Sequence, residues 1–205
     1  ERGNALIFAS DIGKDDRILQ VISAYIDDQD EGESSKRIAA KTLAGIATPK
    51  SIGYLQKLLD TSQSPDIHHS ALNTLSMIND EAAVSILEKK LYTSDTQISA
   101  TMALSQWGKP EYNQILLQAL KNGGLDKETI AIMARNPAGP AVLEELVKHN
   151  TFSKDEILEL LNIYTESTPR ARDDVRLDAA KAVQPLLESP DSDLQIEAIK
   201  IMGSG

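Results

Sequence analysis

SPDIHHSALNTLSMINDEAAVSILEKKLYT, residues 64–93, is followed directly by SDTQISATMALSQWGKPEYNQILLQALKNG, residues 94–123, and the two segments repeat one pattern. Each contains two stretches with the apolar spacing of an amphipathic helix, separated by a polar turn. A shared offset of 29 residues aligns the apolar pairs Ala71/Ala100, Leu75/Leu104, Ile78/Trp107, Leu87/Leu116 and Leu91/Leu120. A fixed period of about thirty residues is the sequence signature of a solenoid built from stacked repeats.

The repeated pattern continues on both sides of this stretch and predicts a single array over residues 1–205. The predicted helical hairpins are 34–62, 64–93, 94–123, 125–151 and 153–188, with a degenerate repeat at 1–33 and a truncated final repeat at 189–205. Because no segment sustains a two-residue alternation, we expect an all-α fold without sheet. The chain begins with Glu1 instead of Met, so we interpret it as an excised or processed segment whose compartment is unknown.

The composition favours stacked helices and disfavours several kinds of partner. Hydrophobic residues make up 41% of the chain and aromatic residues only 4%, so burial depends on Leu, Ile, Ala and Val. The net charge of −10 disfavours nucleic acid and anionic membrane as partners, because an acidic surface repels phosphate. The absence of cysteine removes disulfides, thiolate metal sites and cysteine nucleophiles. No apolar run reaches the roughly 18 residues of a transmembrane helix.

Small and aliphatic residues recur in a fixed order along the predicted first helices. They are the series Ala39/Leu43/Ile46, Ala71/Leu75/Ile78 and Ala100/Leu104/Trp107, with DVRLDAAKAV at 174–183 and LQIEAIKIMG at 194–203. From residue 34 onward this pattern resembles the HEAT repeat family, in particular its short bacterial-type repeats of about thirty residues. The resemblance implies a right-handed α-α superhelix, a HEAT-like solenoid of antiparallel helix pairs, with first helices on the convex side and second helices on the concave side. It also implies that the concave surface docks a partner protein or peptide.

Polar side chains take matching positions on the successive predicted second helices. Each follows a leucine of the apolar series by two residues, which turns a helix by about 200°. The leucines should therefore face the neighbouring layer, and the polar side chains should face outward. With two residues one turn earlier, this predicted ladder consists of Lys57, Lys89, Gln114, Gln118, Glu144 and Lys148.

The ladder has two interpretations that the sequence leaves open. A basic strip on an otherwise acidic protein would capture a peptide of acidic composition. Alternatively, the lysines only reflect the preference for a positive charge near the C-terminus of a helix, where it complements the dipole.

Other candidate sites have simpler explanations. The acidic run at 27–33 lacks EF-hand spacing, because counting from Asp28 places glycine fifth instead of sixth and alanine twelfth instead of glutamate. His68 and His69 are adjacent, so a helix directs them to different faces and they cannot share a metal as an i, i+4 pair would. His149 has no nearby partner in sequence. We therefore expect no metal and no cofactor.

Trp107 takes the position of Ile78 in the preceding copy, so we expect it in the core or between layers. The chain contains no GxSxG, no HExxH, no phosphate-binding glycine loop and no dinucleotide fingerprint. With no catalytic residues identified, the leading hypothesis is a non-enzymatic scaffold that binds another protein.

Two enzyme classes that resemble HEAT-like repeats remain as alternatives. A bilin lyase or accessory factor would need an aromatic, partly apolar groove, and the second helices offer only Tyr54, Tyr92 and Tyr112. A DNA glycosylase would need a continuous positive groove, whereas the chain has 31 acidic and 21 basic residues. A deep apolar pocket on the concave surface would favour the lyase, and a shallow polar groove would favour the scaffold.

Overall fold

The computed structural model describes residues 16–27, 32–148 and 152–203, and all regular structure in these ranges is helical. The helices are α1 Asp16–Asp27, α2 Glu33–Ile46, α3 Ile52–Thr61, α4 Pro65–Met77, α5 Glu81–Leu91, α6 Gln97–Ser105, α7 Pro110–Lys121, α8 Lys127–Ala134, α9 Ala138–Lys148, α10 Lys154–Ser167, α11 Asp173–Val183 and α12 Ser192–Gly203, with 3-10 turns at Pro49–Ser51, Thr168–Arg170 and Gln184–Glu188. The predicted all-α fold is confirmed for the described residues. His149 and most of the acidic run at 27–33 lie outside them.

The chain divides into two compact units, one ending at Ala103 and the other beginning at Leu104. The first unit holds the described helices α1–α5, the second holds α7–α12, and the division falls inside α6. The single array over 1–205 and its hairpin boundaries stay a prediction.

In the first unit, even-numbered helices stack on each other, and so do odd-numbered helices. We call the even-numbered helices first helices and the odd-numbered ones second helices. First helix α2 packs on α4, while second helices α1, α3 and α5 pack in succession. The seams are closed by fully buried aliphatic side chains, among them Ile22, Leu43, Leu55, Leu75 and Leu87. Each such side chain contributes about 1.5–3 kcal/mol through removal from water.

The second unit follows the same alternation. First helices α8, α10 and α12 pack in succession, as do second helices α7, α9 and α11. Its seams bury Leu116, Met133, Leu143, Tyr164 and Val183. Both units therefore stack alternate helices across buried, largely apolar seams.

Side-chain caps fix the starts of α8 and α10 in the second unit. The Asp126 carboxylate accepts the backbone N–H of Thr129 at 2.8 Å, and this hydrogen bond lowers the pKa of Asp126. At the start of α10, the backbone N–H of Ser153 donates to Glu156 Oε2 at 2.7 Å, and the N–H of Glu156 donates to Ser153 Oγ at 3.4 Å. Caps of this kind satisfy N–H groups that the first turn leaves without intrahelical acceptors.

Three connectors share a hydrogen bond that locks a first helix to the chain before it. In each, a side-chain N–H near the start of the first helix donates to a backbone carbonyl six residues earlier. The pairs are His68 Nε2 to Ser62 (2.8 Å), Gln97 Nε2 to Leu91 (3.0 Å) and Gln195 Nε2 to Ser189 (2.8 Å). The side chains thereby satisfy carbonyls where a second helix has ended.

The expectation that Trp107 packs in the core or between layers is wrong. Its side chain is 48% exposed, whereas Ile78, the residue aligned with it, is 1% exposed. Helix α6 ends at Ser105 and Trp107 is the second residue after it, whereas Ile78 directly follows the end of α4 at Met77. Gly108, the residue after Trp107, has φ at +59°, a left-handed conformation that favours glycine.

Candidate partner-binding site

The predicted ladder residues all lie on second helices, and all have exposed side chains. They are Lys57 on α3, Lys89 on α5, Gln114 and Gln118 on α7, and Glu144 and Lys148 on α9. The leucines two residues before the last member on each helix are buried, namely Leu55, Leu87, Leu116 and Leu146. The spacing therefore predicted correctly which side of each second helix is apolar and which is polar.

Lysines of the first unit reach back to the preceding second helix. Lys57 Nζ forms an ion pair with Asp27 at the end of α1, and its hydrogen bond lowers the pKa of the Asp27 carboxyl. Lys90 Nζ lies 3.3 Å from Asp60 at the end of α3. Lys57 and Lys90 thus occupy equivalent contacts, each with an aspartate 30 residues earlier. Lys89, the predicted ladder residue, is exposed beside Lys90.

In the second unit, the ladder residues contact near neighbours on their own helices. Lys148 Nζ lies 2.5 Å from Glu144 Oε1, and this hydrogen bond raises the pKa of Lys148. Gln118 Nε2 donates to Asn122 Oδ1 at 3.0 Å. The ladder therefore offers amides and a neutralised ion pair here, not a basic strip.

Two cavities lie along the second helices of this unit, and Glu144 borders both. The cavity between α7 and α9, about 140 Å³, is also bordered by Gln114 and Asn113. The buried Oδ1 of Asn113 has no hydrogen-bond partner. The cavity between α9 and α11, about 370 Å³, is also bordered by Asp178 and Lys181, which form an ion pair of 2.8 Å. The structure thus brings Gln114 and Glu144 together on a polar surface.

The three tyrosines that the sequence offered for an aromatic groove differ in exposure. Tyr112 is buried at 1% exposure, so its ring belongs to the core, while Tyr92 is 47% exposed and Tyr54 is half-buried. The ammonium of Lys109 lies 4.6 Å from the centre of the Tyr112 ring. This contact belongs to the packing at the start of α7.

Groups with acid–base or metal-binding potential serve structural contacts. His68 is buried and donates to a backbone carbonyl, whereas His69 on the next position is exposed. Burial raises the pKa of Tyr164, whose hydroxyl donates to the Gly139 carbonyl at 3.0 Å. Within residues 16–27, 32–148 and 152–203, no group of three or more His, Cys, Asp or Glu side chains is placed to hold a metal ion.

The family described as HEAT repeats matches residues 18–98. The HEAT-repeat resemblance is confirmed for this stretch. The matched HEAT segment covers described helices α1–α5 and the first two residues of α6, including the ion pairs of Lys57 and Lys90. No curated protein matches the chain. Among the described residues, no helix combines the length and apolarity needed to cross a membrane.

Solved structures similar to the chain include three designed or engineered proteins. A designed armadillo repeat protein is 17% identical, with 98% of this chain and 92% of that chain covered and a TM-score of 0.36. A second one, solved in complex with the peptide (KR)4, is 15% identical, with coverage of 98% and 90% and a TM-score of 0.36. An engineered protein is 19% identical, with coverage of 89% and 96% and a TM-score of 0.34. Binding of (KR)4 is a property of that designed protein.

Proposed function

We propose that the chain is a non-enzymatic protein-interaction scaffold whose second-helix faces contact a partner protein or peptide. The observation that carries this proposal is the recurrence, on α3, α5, α7 and α9, of a buried leucine followed two residues later by an exposed polar side chain. Such a helix uses one side to seal the stack and leaves the other side available for recognition.

The ion pairs bear on the chemistry of the partner. Lys57 and Lys148 already contact carboxylates, which removes the main argument for an acidic peptide. Gln114 and Gln118 offer amide groups, which both donate and accept hydrogen bonds. We therefore propose that the partner presents a polar, extended segment whose backbone bonds to these amides of the second unit.

The two enzyme alternatives have less support than the scaffold. The cavities on the second helices of the second unit combine the charged or amide side chains of Asn113, Gln114, Glu144, Asp178 and Lys181 with apolar ones such as Leu117, Ala141 and Val142, whereas a tetrapyrrole would require predominantly apolar walls. The same carboxylates oppose the phosphate backbone that a DNA glycosylase must bind.

Affinity purification of the full chain tests the proposal with two matched variants. The ladder variant combines Lys89→Ala, Gln114→Ala and Gln118→Ala, which removes exposed groups from second helices only. The control variant combines Lys41→Ala, His69→Ala and Glu128→Ala, three exposed positions on first helices. Both variants should keep the unfolding midpoint of the wild type, because surface substitutions change stability by only about 0.5 kcal/mol.

Quantitative mass spectrometry of the co-purified proteins gives the result. We expect at least one protein to be depleted about tenfold with the ladder variant and to be retained with the control variant. Equal recovery with both variants would remove the second-helix faces as the docking surface.

A further inference from the structure

A second candidate surface lies on the first helices of the second unit, away from the ladder. A cavity of about 380 Å³ opens between α8 and α10, and one of about 610 Å³ opens between α10 and α12. The two cavities share Lys127 and Glu159 as lining residues. We call them together the first-helix groove.

The floor of the first-helix groove is apolar in its α8–α10 part. Leu125 and Ile130 line it from the α8 side, and Leu160 lines it from α10; all three are less than 9% exposed and belong to the core. Phe152 and Ile163 are half-buried and flank this floor. Leu120 also lines the cavity, so an apolar side chain entering here would exchange water for contacts with six hydrophobic residues.

In its α10–α12 part, the groove continues over a large exposed aliphatic side chain. Ile196 lines this cavity together with Leu158, and Ile196 is 49% exposed. Ile199, one turn further along α12, is 59% exposed. Adjacent packed helices lie about 8–10 Å apart, so a groove across three helices extends about 20 Å, which exceeds a single small molecule and suits a peptide segment.

Carboxylates dominate the edges of the groove. The lining residues of the two cavities include five acidic side chains and one lysine, namely Asp126, Glu156, Glu159, Asp193, Glu197 and Lys127. Three of these carboxylates are already paired with lysines: Glu159 with Lys127 at 2.7 Å, Asp193 with Lys154 at 3.3 Å and Glu197 with Lys200 at 2.5 Å. Hydrogen bonds from Thr129 and Ser153 lower the pKa values of Asp126 and Glu156, so both groups remain anionic at neutral pH.

We propose that the first-helix groove binds an amphipathic peptide segment of a partner protein that carries Leu-sized side chains between Lys or Arg residues. The apolar side chains enter the α8–α10 cavity and cover Ile196, while the cations contact the carboxylates on both edges. Charge complementarity selects this occupant, because the lining residues carry five carboxylates against one lysine and Asp126 and Glu156 are held anionic by helix-cap hydrogen bonds, so that an acidic segment and an anionic lipid surface are both disfavoured. The inference does not depend on the second-helix ladder.

Fluorescence anisotropy with labelled synthetic peptides tests the proposal on the full chain. The probe is a twelve-residue peptide in which pairs of Leu are separated by Arg. One comparison peptide replaces Leu by Ser, and the other replaces Arg by Gln. We expect the Leu/Arg peptide to bind at least tenfold more tightly than either comparison peptide at about 0.15 M salt. If the Ser/Arg peptide bound as tightly as the Leu/Arg peptide, binding would depend on charge attraction alone, and the proposal would be overturned.

Two matched double variants locate the binding. The groove variant combines Glu159→Gln with Asp193→Asn and removes two carboxylates from the groove. The first substitution removes the ion-pair partner of Lys127, and the second removes one ion-pair partner of Lys154. The control variant combines Glu144→Gln with Asp178→Asn and removes two carboxylates from second helices. These carboxylates also form ion pairs with lysines, Lys148 and Lys181. We expect the groove variant to weaken binding of the Leu/Arg peptide at least tenfold and the control variant by less than twofold.

Two results of the peptide measurements would contradict the groove as a binding site. Similar losses in both variants, or no binding of the Leu/Arg peptide by the wild type, would overturn the proposal. Sedimentation of the wild-type chain distinguishes another occupant, since a dimer that Phe152→Ser dissociates would show that a second copy fills the groove instead of a basic peptide.

Discussion

The phenolic hydroxyl of Tyr164 donates a 3.0 Å hydrogen bond to the backbone carbonyl of Gly139, which joins α10 to the helix before it. The Tyr164 side chain is fully buried, and its burial raises the pKa of the hydroxyl, so the group stays a donor at physiological pH. Gly139 is equally constrained, because a Cβ atom there would lie 2.8 Å from the carbonyl oxygens of Met133 and Ala134. The second unit is therefore held at this point by a specific polar contact inside an apolar seam.

Tyr164→Phe should lower the free energy of unfolding by about 1 kcal/mol, because the ring still fills its site while the Gly139 carbonyl loses a donor. Equilibrium denaturation in urea measures the loss. A Phe variant as stable as the wild type would mean that the hydrogen bond makes no net contribution.

Gly139→Ala should destabilise the chain by about 1–3 kcal/mol or more, because the added methyl group meets backbone oxygens that cannot move independently. Gly53→Ala is the matched control, since no atom lies within 4 Å of the added Cβ in α3. There alanine should stabilise the chain by about 0.5–1 kcal/mol through its higher helix propensity. Thermal unfolding of the two variants should give shifts of opposite sign, and a shift of the same sign would contradict the packing described for Gly139.

Lys57→Met should raise the pKa of Asp27 toward its ordinary value of 3.8, because the ammonium that stabilises the carboxylate is removed. The lowered pKa of Asp27 also makes the stability of the folded chain depend on pH. A carboxyl whose pKa is lower in the folded chain stabilises the fold above the unfolded pKa, and this contribution disappears as the pH falls through the folded pKa. NMR titration of the Asp27 side-chain carbon measures the change. Lys89→Met serves as the control and should leave the Asp27 titration unchanged; an equal change in both variants would refute the specific pairing.

Leu104→Ala should lower the free energy of unfolding by about 2–5 kcal/mol, because Leu104 is fully buried and its truncation leaves a cavity. Leu177→Ala removes the same atoms from a side chain that is 54% exposed, and it should change the free energy by no more than about 0.5 kcal/mol. Chemical denaturation of both variants makes the comparison. A loss below about 1 kcal/mol for Leu104→Ala would mean that the apolar face of α6 is misassigned.

Helix positions and their buried faces followed from the sequence because apolar spacing directly reports which side of a helix is removed from water. Leu75 and Leu104, aligned by the repeat offset, are both fully buried. Trp107 departed from the same alignment because the repeat offset does not fix the residue at which a helix ends. Helix α4 ends directly before Ile78, but α6 ends two residues before Trp107, which is 48% exposed.

The contacts of the ladder could be predicted only in part. Outward-facing positions followed from the spacing, but adjacent residues on a helix differ by about 100°. Apolar spacing does not fix the rotation of α5 about its axis finely enough to show which lysine contacts the preceding second helix, α3. In the structure it is Lys90, not Lys89, that pairs with Asp60 of α3. The connector hydrogen bonds of His68 and Gln97 were missed for a related reason, because they depend on the path of the backbone between helices.

Photo-crosslinking from single positions tests most directly whether the second-helix faces dock a partner. A photoreactive phenylalanine analogue replaces Lys89 on α5, Gln118 on α7 or, as a control, Lys41 on α2, all three of which are exposed. After irradiation in cells, we predict the same discrete protein adduct from Lys89 and Gln118 and none from Lys41. Adducts of equal yield from Lys41, or none from the two second-helix positions, would contradict the scaffold proposed here.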